Sequence, residues 1–170
     1  MVSAFAEHYH KYKNMIKIFP FEPGQAQEVS DLICRNIREI NSQEYGNEFI
    51  TILLHDFTPQ RLLEKHQDQY IFVAIENGTI VGTGALENKG SASEPQYYCV
   101  AMFVLPEQHG KGIGSLILKR VEEQALALDA KKLQLRAARG APDFYRKAGY
   151  NTGIPEEFDI FGNLLMEKRL

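Results

Sequence analysis

The sequence of 170 residues predicts an α/β (α+β) domain, a mixed sheet with helices packed on it. Three observations carry this. Short β-rich runs alternate with segments of helical periodicity. An Asn77-Gly78 pair joins two of those runs, the strongest short-range hairpin signal. Glycines at 110, 112 and 114 lead from a long apolar run directly into an amphipathic helix.

Residues 1–14, MVSAFAEHYHKYKN, read as an N-terminal extension or leader, and 15–170 as one domain. His8, Tyr9, His10 and Tyr12 fit a surface segment better than a metal or aromatic patch. Alternation over Met15 to Phe21 predicts a strand, broken by Pro23-Gly24. Val29, Leu32, Ile33, Ile37 and Ile40 form one face of a helix. A second helix is expected around Glu48 to His55, and Thr58-Pro59 caps and opens a third, short one. Two strands flank Asn77-Gly78 between Tyr70 and Glu87, and residues 88–95 form a polar loop. Gln96 to Leu105 is a strand apolar on both faces, which places it centrally. The helix after the glycines turns Ile113, Leu116, Ile117, Val121, Ala125 and Leu128 inward. Lys132 to Ala137 is a strand, Ala141 to Gly149 a short helix, and Asp159 to Lys168 the last strand.

Composition narrows the function. A net charge of −3 and a pI near 6.0 give no basic footprint for nucleic acid. No apolar run approaches the roughly 20 residues that span a bilayer, and the first 14 residues lack a signal-type apolar core. Cys34 and Cys99 make no disulfide framework, so a cytoplasmic location is expected. The Asn77-Gly78-Thr79 sequon reads as a turn, and no metal site is expected.

The glycine loop admits several readings. G-x-G-x-G puts the third glycine one residue early for a dinucleotide fingerprint. Ile113 after Gly112 breaks a nucleotide P-loop. What remains is a pyrophosphate cradle at a helix N-terminus, helped by Lys111, or a tight turn that only joins strand to helix.

Val104-Leu105-Pro106 followed by His109-Gly110-Lys111-Gly112-Ile113-Gly114 resembles the acyl-CoA loop, Q/R-x-x-G-x-G/A, of the GNAT superfamily of N-acetyltransferases. Phe144 to Tyr150, FYRKAGY, resembles its second signature, some 35 residues on. The element order over 15–170 agrees with that family. The departure is His109 at the Q/R position, beside Gln108.

The resemblance implies a mostly antiparallel sheet with splayed central strands, flanked by helices. It implies acetyl-CoA as co-substrate and a small-molecule or peptide amine as acceptor, with a homodimer possible. The amides of Gly110 to Ser115, with His109, would hold the pyrophosphate. Met102, Phe103 and Val104 would pair with the pantetheine arm as a strand does, and a backbone N–H near Val104 would face the oxyanion. Tyr145 would serve the leaving thiolate, and transfer would be direct, with Cys99 a packing residue. The family's usual base positions are Tyr98 and Ala138 here, so neither helper carries over. Glu94, Tyr97 and Tyr98, or Glu44, His55 and Asp56, are the alternatives. The competing reading is a non-catalytic acyl-CoA-binding sensor or partner domain of the same fold.

Overall fold

The computed structural model describes residues 15–170; the extension and its histidines lie outside the described residues. Six strands form one sheet in the order β1 to β6: Lys17–Pro20, Gln69–Glu76, Thr79–Asn88, Tyr97–Val104, Lys132–Ala137 and Leu164–Arg169. Neighbours are antiparallel except β4 and β5. Between β1 and β2 come α1 (Ala26–Glu39), α2 (Asn47–Asp56) and α3 (Pro59–Lys65). Helix α4 (Ile113–Ala127) links β4 to β5, and α5 (Pro142–Lys147) links β5 to β6.

Local chemistry explains most boundaries. Asn77 and Gly78 take φ of 50° and 82°, the left-handed pair that a two-residue hairpin turn demands. The Thr58 hydroxyl accepts the Arg61 amide at 3.3 Å, with Pro59 in the first turn of α3. The sheet separates two cores. On one face Ile117 and Val121 of α4 and Tyr150, just past α5, pack on Leu133 of β5, while α1 and α3 cover the other with Val29, Ile33, Ile37 and Leu62.

The three helices expected before β2 are all present. Three other expectations need correction. Ile40 caps α1 and is 36% exposed, because the helix ends at Glu39. In α4 the buried stripe is centred on Ile117, Val121 and Ala125, so Leu118 falls on its flank and is buried while Leu116 is 42% exposed. The last strand starts at Leu164, five residues late. The Asp159 carboxylate accepts the amides of Phe161 and Asn163, both at 2.9 Å, which holds 159–163 as a turn.

The stripe has a measurable consequence. Ile117→Ala should cost about 2–5 kcal/mol in denaturant unfolding, whereas Leu116→Ala should stay within about 0.5 kcal/mol.

Candidate active site

Strand β4 is held along one edge and released along the other. It pairs with β3 to its end, but with β5 only at Tyr98–Gln134 and Cys99–Leu135. The release coincides with a bulge. Ala101 and Met102 together stand opposite Gly84, and Ala101 takes φ of 52°, rare for a residue with a side chain. Beyond it β4 and β5 part around a cleft of about 460 Å³. Cys99 to Val104, Arg136, Ala138 and Tyr145 line it from the sheet side, and residues of α1 and α2 line it from the other. The opening explains why β4, although central, is mostly half-buried rather than sealed on both faces.

The direction of the backbone follows from one bond. The Leu105 amide donates to the Val81 carbonyl at 3.0 Å, toward β3. Alternation then turns the N–H and C=O of Val104, and of Met102 before it, toward the cleft. His109 Nε2–H donates to the Val104 carbonyl at 2.8 Å. The imidazole is thus tied to the strand end instead of reaching over the glycine loop. Phe103 comes to the cleft by its ring, set edge-on to Phe57 at 5.5 Å, while its main chain faces Thr83 of β3.

At the same end of β4 lies the start of α4. Gly110 and Gly112 have φ of 77° and 80°, with nothing within 4 Å of where a Cβ would sit. Their backbone conformation is what demands glycine there. Gly114 answers to packing, since a Cβ would lie 3.3 Å from Phe144 Cζ. The amides of 110–115 donate to no carbonyl or side chain among the described residues. These donors sit at the positive end of the α4 dipole. Lys111 Nζ donates to Gln108 Oε1 at 2.8 Å, and Gln108 Nε2 to Glu76 at 3.0 Å, so the loop is pinned to the end of β2.

Tyr145, on α5, is 7% exposed and lines the cleft. Its ring meets Phe144 and Tyr150 edge-on at 4.9 and 5.9 Å. Its hydroxyl has no protein partner among the described residues, yet is not sealed off. Burial, with the nearby Cys99, pushes this phenol well above its ordinary range. The Cys99 thiol is pushed up too, by burial and then by Glu122. Tyr150 is a core residue whose hydroxyl donates to Glu122 at 3.0 Å, and Lys168 donates to the same carboxylate at 2.9 Å.

The base candidates divide. Glu44 lines the cleft. Tyr97 and Tyr98 lie at the far end of β4, outside the cleft, and Glu94 precedes them in the loop. Asp56 takes an ammonium from Lys65 at 2.9 Å, and His55 is exposed, neither on the cleft wall. The sequence reading missed Asn36, which is 3% exposed and lines the cleft. A polar residue within the apolar stripe of α1 was the available signal. No helix among the described residues is long and apolar enough to cross a membrane.

Residues 34–150 match the model of the acetyltransferase (GNAT) family. The chain is 27% identical over 139 residues to the uncharacterized N-acetyltransferase YafP of Escherichia coli (strain K12), spanning 82% of this chain and 83% of that protein. It is 35% identical over 114 residues to an IAA acetyltransferase of Azospirillum brasilense, spanning 61% and 69% of the two. Its fold is similar to that of the PaiA N-acetyltransferase of Thermoplasma acidophilum, solved with coenzyme A. That similarity has a TM-score of 0.78 at 18% identity, over 92% of this chain and 99% of the other.

The buried phenol and thiol set a pH dependence. Their native pKa values are raised, so the unfolded chain gives up these protons first, from about pH 8.5 for the thiol and about pH 10 for the phenol. Their stabilisation is complete below those values and is lost as pH rises. The denaturant midpoint should therefore fall between pH 8 and 10.5, and Cys99→Ala should flatten the early part of that fall.

Proposed function

Because the chain belongs to the acetyltransferase (GNAT) family, we propose that it moves the acetyl group of acetyl-CoA directly onto a primary amine of a small molecule or peptide. The observation that carries this reading is the parting of β4 and β5 into a cleft that has unpaired amides at one end and the Tyr145 hydroxyl in its wall. Free amides at a helix N-terminus suit a pyrophosphate. The released edge of β4 suits an amide-bearing arm, which can pair with Met102 as an added strand does, leaving the Val104 N–H for the thioester end.

The chemistry follows from these positions. The amine nitrogen attacks the thioester carbonyl, forming a C–N bond and an oxyanion. The Val104 N–H is a fixed donor for that oxyanion. Collapse breaks the C–S bond, the attacking nitrogen gives up its extra proton to water, and the sulfur leaves as thiolate. The phenol of Tyr145 stays protonated at any working pH. A phenol so reluctant to ionise serves the thiolate by donating a hydrogen bond, and the sulfur takes its proton as products leave. Cys99, buried and held as a thiol, supports direct transfer rather than an acetyl-cysteine step.

Thiol release from acetyl-CoA in the presence of an amine panel tests the reading. Tyr145→Phe should lower kcat on the order of 100-fold while leaving the stabilisation by acetyl-CoA intact, about 2.7 kcal/mol at 100 times Kd. Binding of acetyl-CoA without turnover of any amine, and indifference to the substitution, would overturn catalysis in favour of a binding module.

A further inference from the structure

The acceptor end of the cleft has spent most of its polar groups on itself. Arg139 Nη1 donates to the Glu44 carbonyl at 3.1 Å and Nη2 to the Phe161 carbonyl at 3.0 Å. Its amide donates to the Tyr45 hydroxyl at 2.9 Å, and that hydroxyl donates to Asn163 Oδ1 at 2.6 Å. Asn163 Nδ2 donates in turn to Asp159 at 2.9 Å. The charge of Arg136, on the β5 wall, acts on Asp159. These bonds tie the α1–α2 connection to the β5–α5 loop and to the turn before β6.

Asn41, Glu44 and Asn36 keep side-chain acceptors without a donor among the described residues, and the last two carry the argument. The Glu44 carboxylate is half-buried on the cleft wall and makes no ion pair or hydrogen bond among the described residues, although it follows α1 by only a few residues. Arg139 is engaged with the Glu44 main chain and with the Tyr45 ring at 5.1 Å. Asn36 is the second. Its Nδ2 donates to the Leu32 carbonyl at 3.1 Å, which leaves Oδ1 without a donor. Oδ1 is not a sealed atom, and the residue lines this cleft. A free carboxylate and a free amide oxygen on the wall of one cleft match a group that is all donor and positively charged. The rest of the wall combines the apolar side chains of Phe49, Leu53, Phe57 and Phe103 with the Asn41 amide and the Arg136 guanidinium, whose charge acts on Asp159.

We propose that Glu44 and Asn36 are the recognition point for an ammonium nitrogen, and that the acceptor is a primary amine with its charge on nitrogen alone, carried on an apolar body. The proposal rests on the acetyltransferase reading. A carboxylate beside the nitrogen, as in an α-amino acid, would stand against Glu44 and be rejected.

Gly140 gives a way to move the carboxylate without removing it. A Cβ there would lie 2.6 Å from Glu44 Oε1, the end of a flexible side chain, and the backbone needs no glycine conformation. Gly140→Ala should therefore fold and push Glu44 aside.

The experiment compares phenethylamine with phenylalanine, which differ by one carboxylate. Calorimetry on the coenzyme A-saturated protein reads binding, and thiol release reads turnover. The wild type should bind phenethylamine at least about tenfold more tightly than phenylalanine, a factor of ten corresponding to about 1.4 kcal/mol. Glu44→Gln should weaken phenethylamine about 10-fold or more, mainly in KM, and narrow the preference, with coenzyme A affinity unchanged. Gly140→Ala should act in the same direction. Equal or tighter binding of phenylalanine, no binding of phenethylamine, or indifference to both substitutions would overturn the proposal. Selective amine binding without turnover would instead uphold the ammonium site and remove the acetyltransferase reading.

Discussion

The early end of pairing between β4 and β5 is the constraint on which this molecule is organised. Two paired residues on each strand join the halves of the sheet, and past Cys99 and Leu135 the strands separate. A strand inside a domain rarely gives up a partner, because unpaired N–H and C=O groups cost free energy unless something else meets them. Here β3 holds one edge of β4 throughout, and the bulge at Ala101 and Met102 turns the strand where the other edge comes free. His109 meets one exposed carbonyl, that of Val104. The remaining groups are available to whatever enters the cleft.

The separation is stable because each face of the sheet has its own core. Ile117 lies against Gly82 and Gly84 of β3, so α4 packs beside the opening rather than across it. On the other face Phe57 and Phe103 meet edge-on at 5.5 Å and form part of the cleft floor. The glycine loop and the open strand edge therefore belong to one construction. The strand delivers the chain to the start of α4, and the left-handed backbone at Gly110 and Gly112 turns it so that the helix begins beside the cleft with its amides unspent.

Much of this was legible in the sequence. The hairpin, the cap of α3 and the order of strands follow from local residues that act over a few positions: Asn77-Gly78, Thr58-Pro59 and the alternating runs. The glycine spacing and the FYRKAGY segment pointed to the family because both elements sit in fixed places on the fold. What stayed hidden depends on contacts between distant segments. The half-buried state of β4 reflects a neighbour that is missing along part of its length, which an apolar run cannot report. Leu116 and Leu118 are alike in type, and only the packed stripe tells which is inside. Asn36 interrupts the apolar stripe of α1 and Glu44 is one of several base candidates, but they acquire meaning from the cleft they share with β4 and from Arg139, almost a hundred positions further along the chain.

Amide hydrogen exchange, read residue by residue with and without coenzyme A, tests the central claim most directly. If the cleft takes the pantetheine arm and the loop takes the pyrophosphate, the Met102 amide and the amides of 110–115 should slow together, while those of β6 stay unchanged. Protection confined to 110–115, or none in either place, would contradict the account, because the open edge of β4 would then have no ligand to pair with.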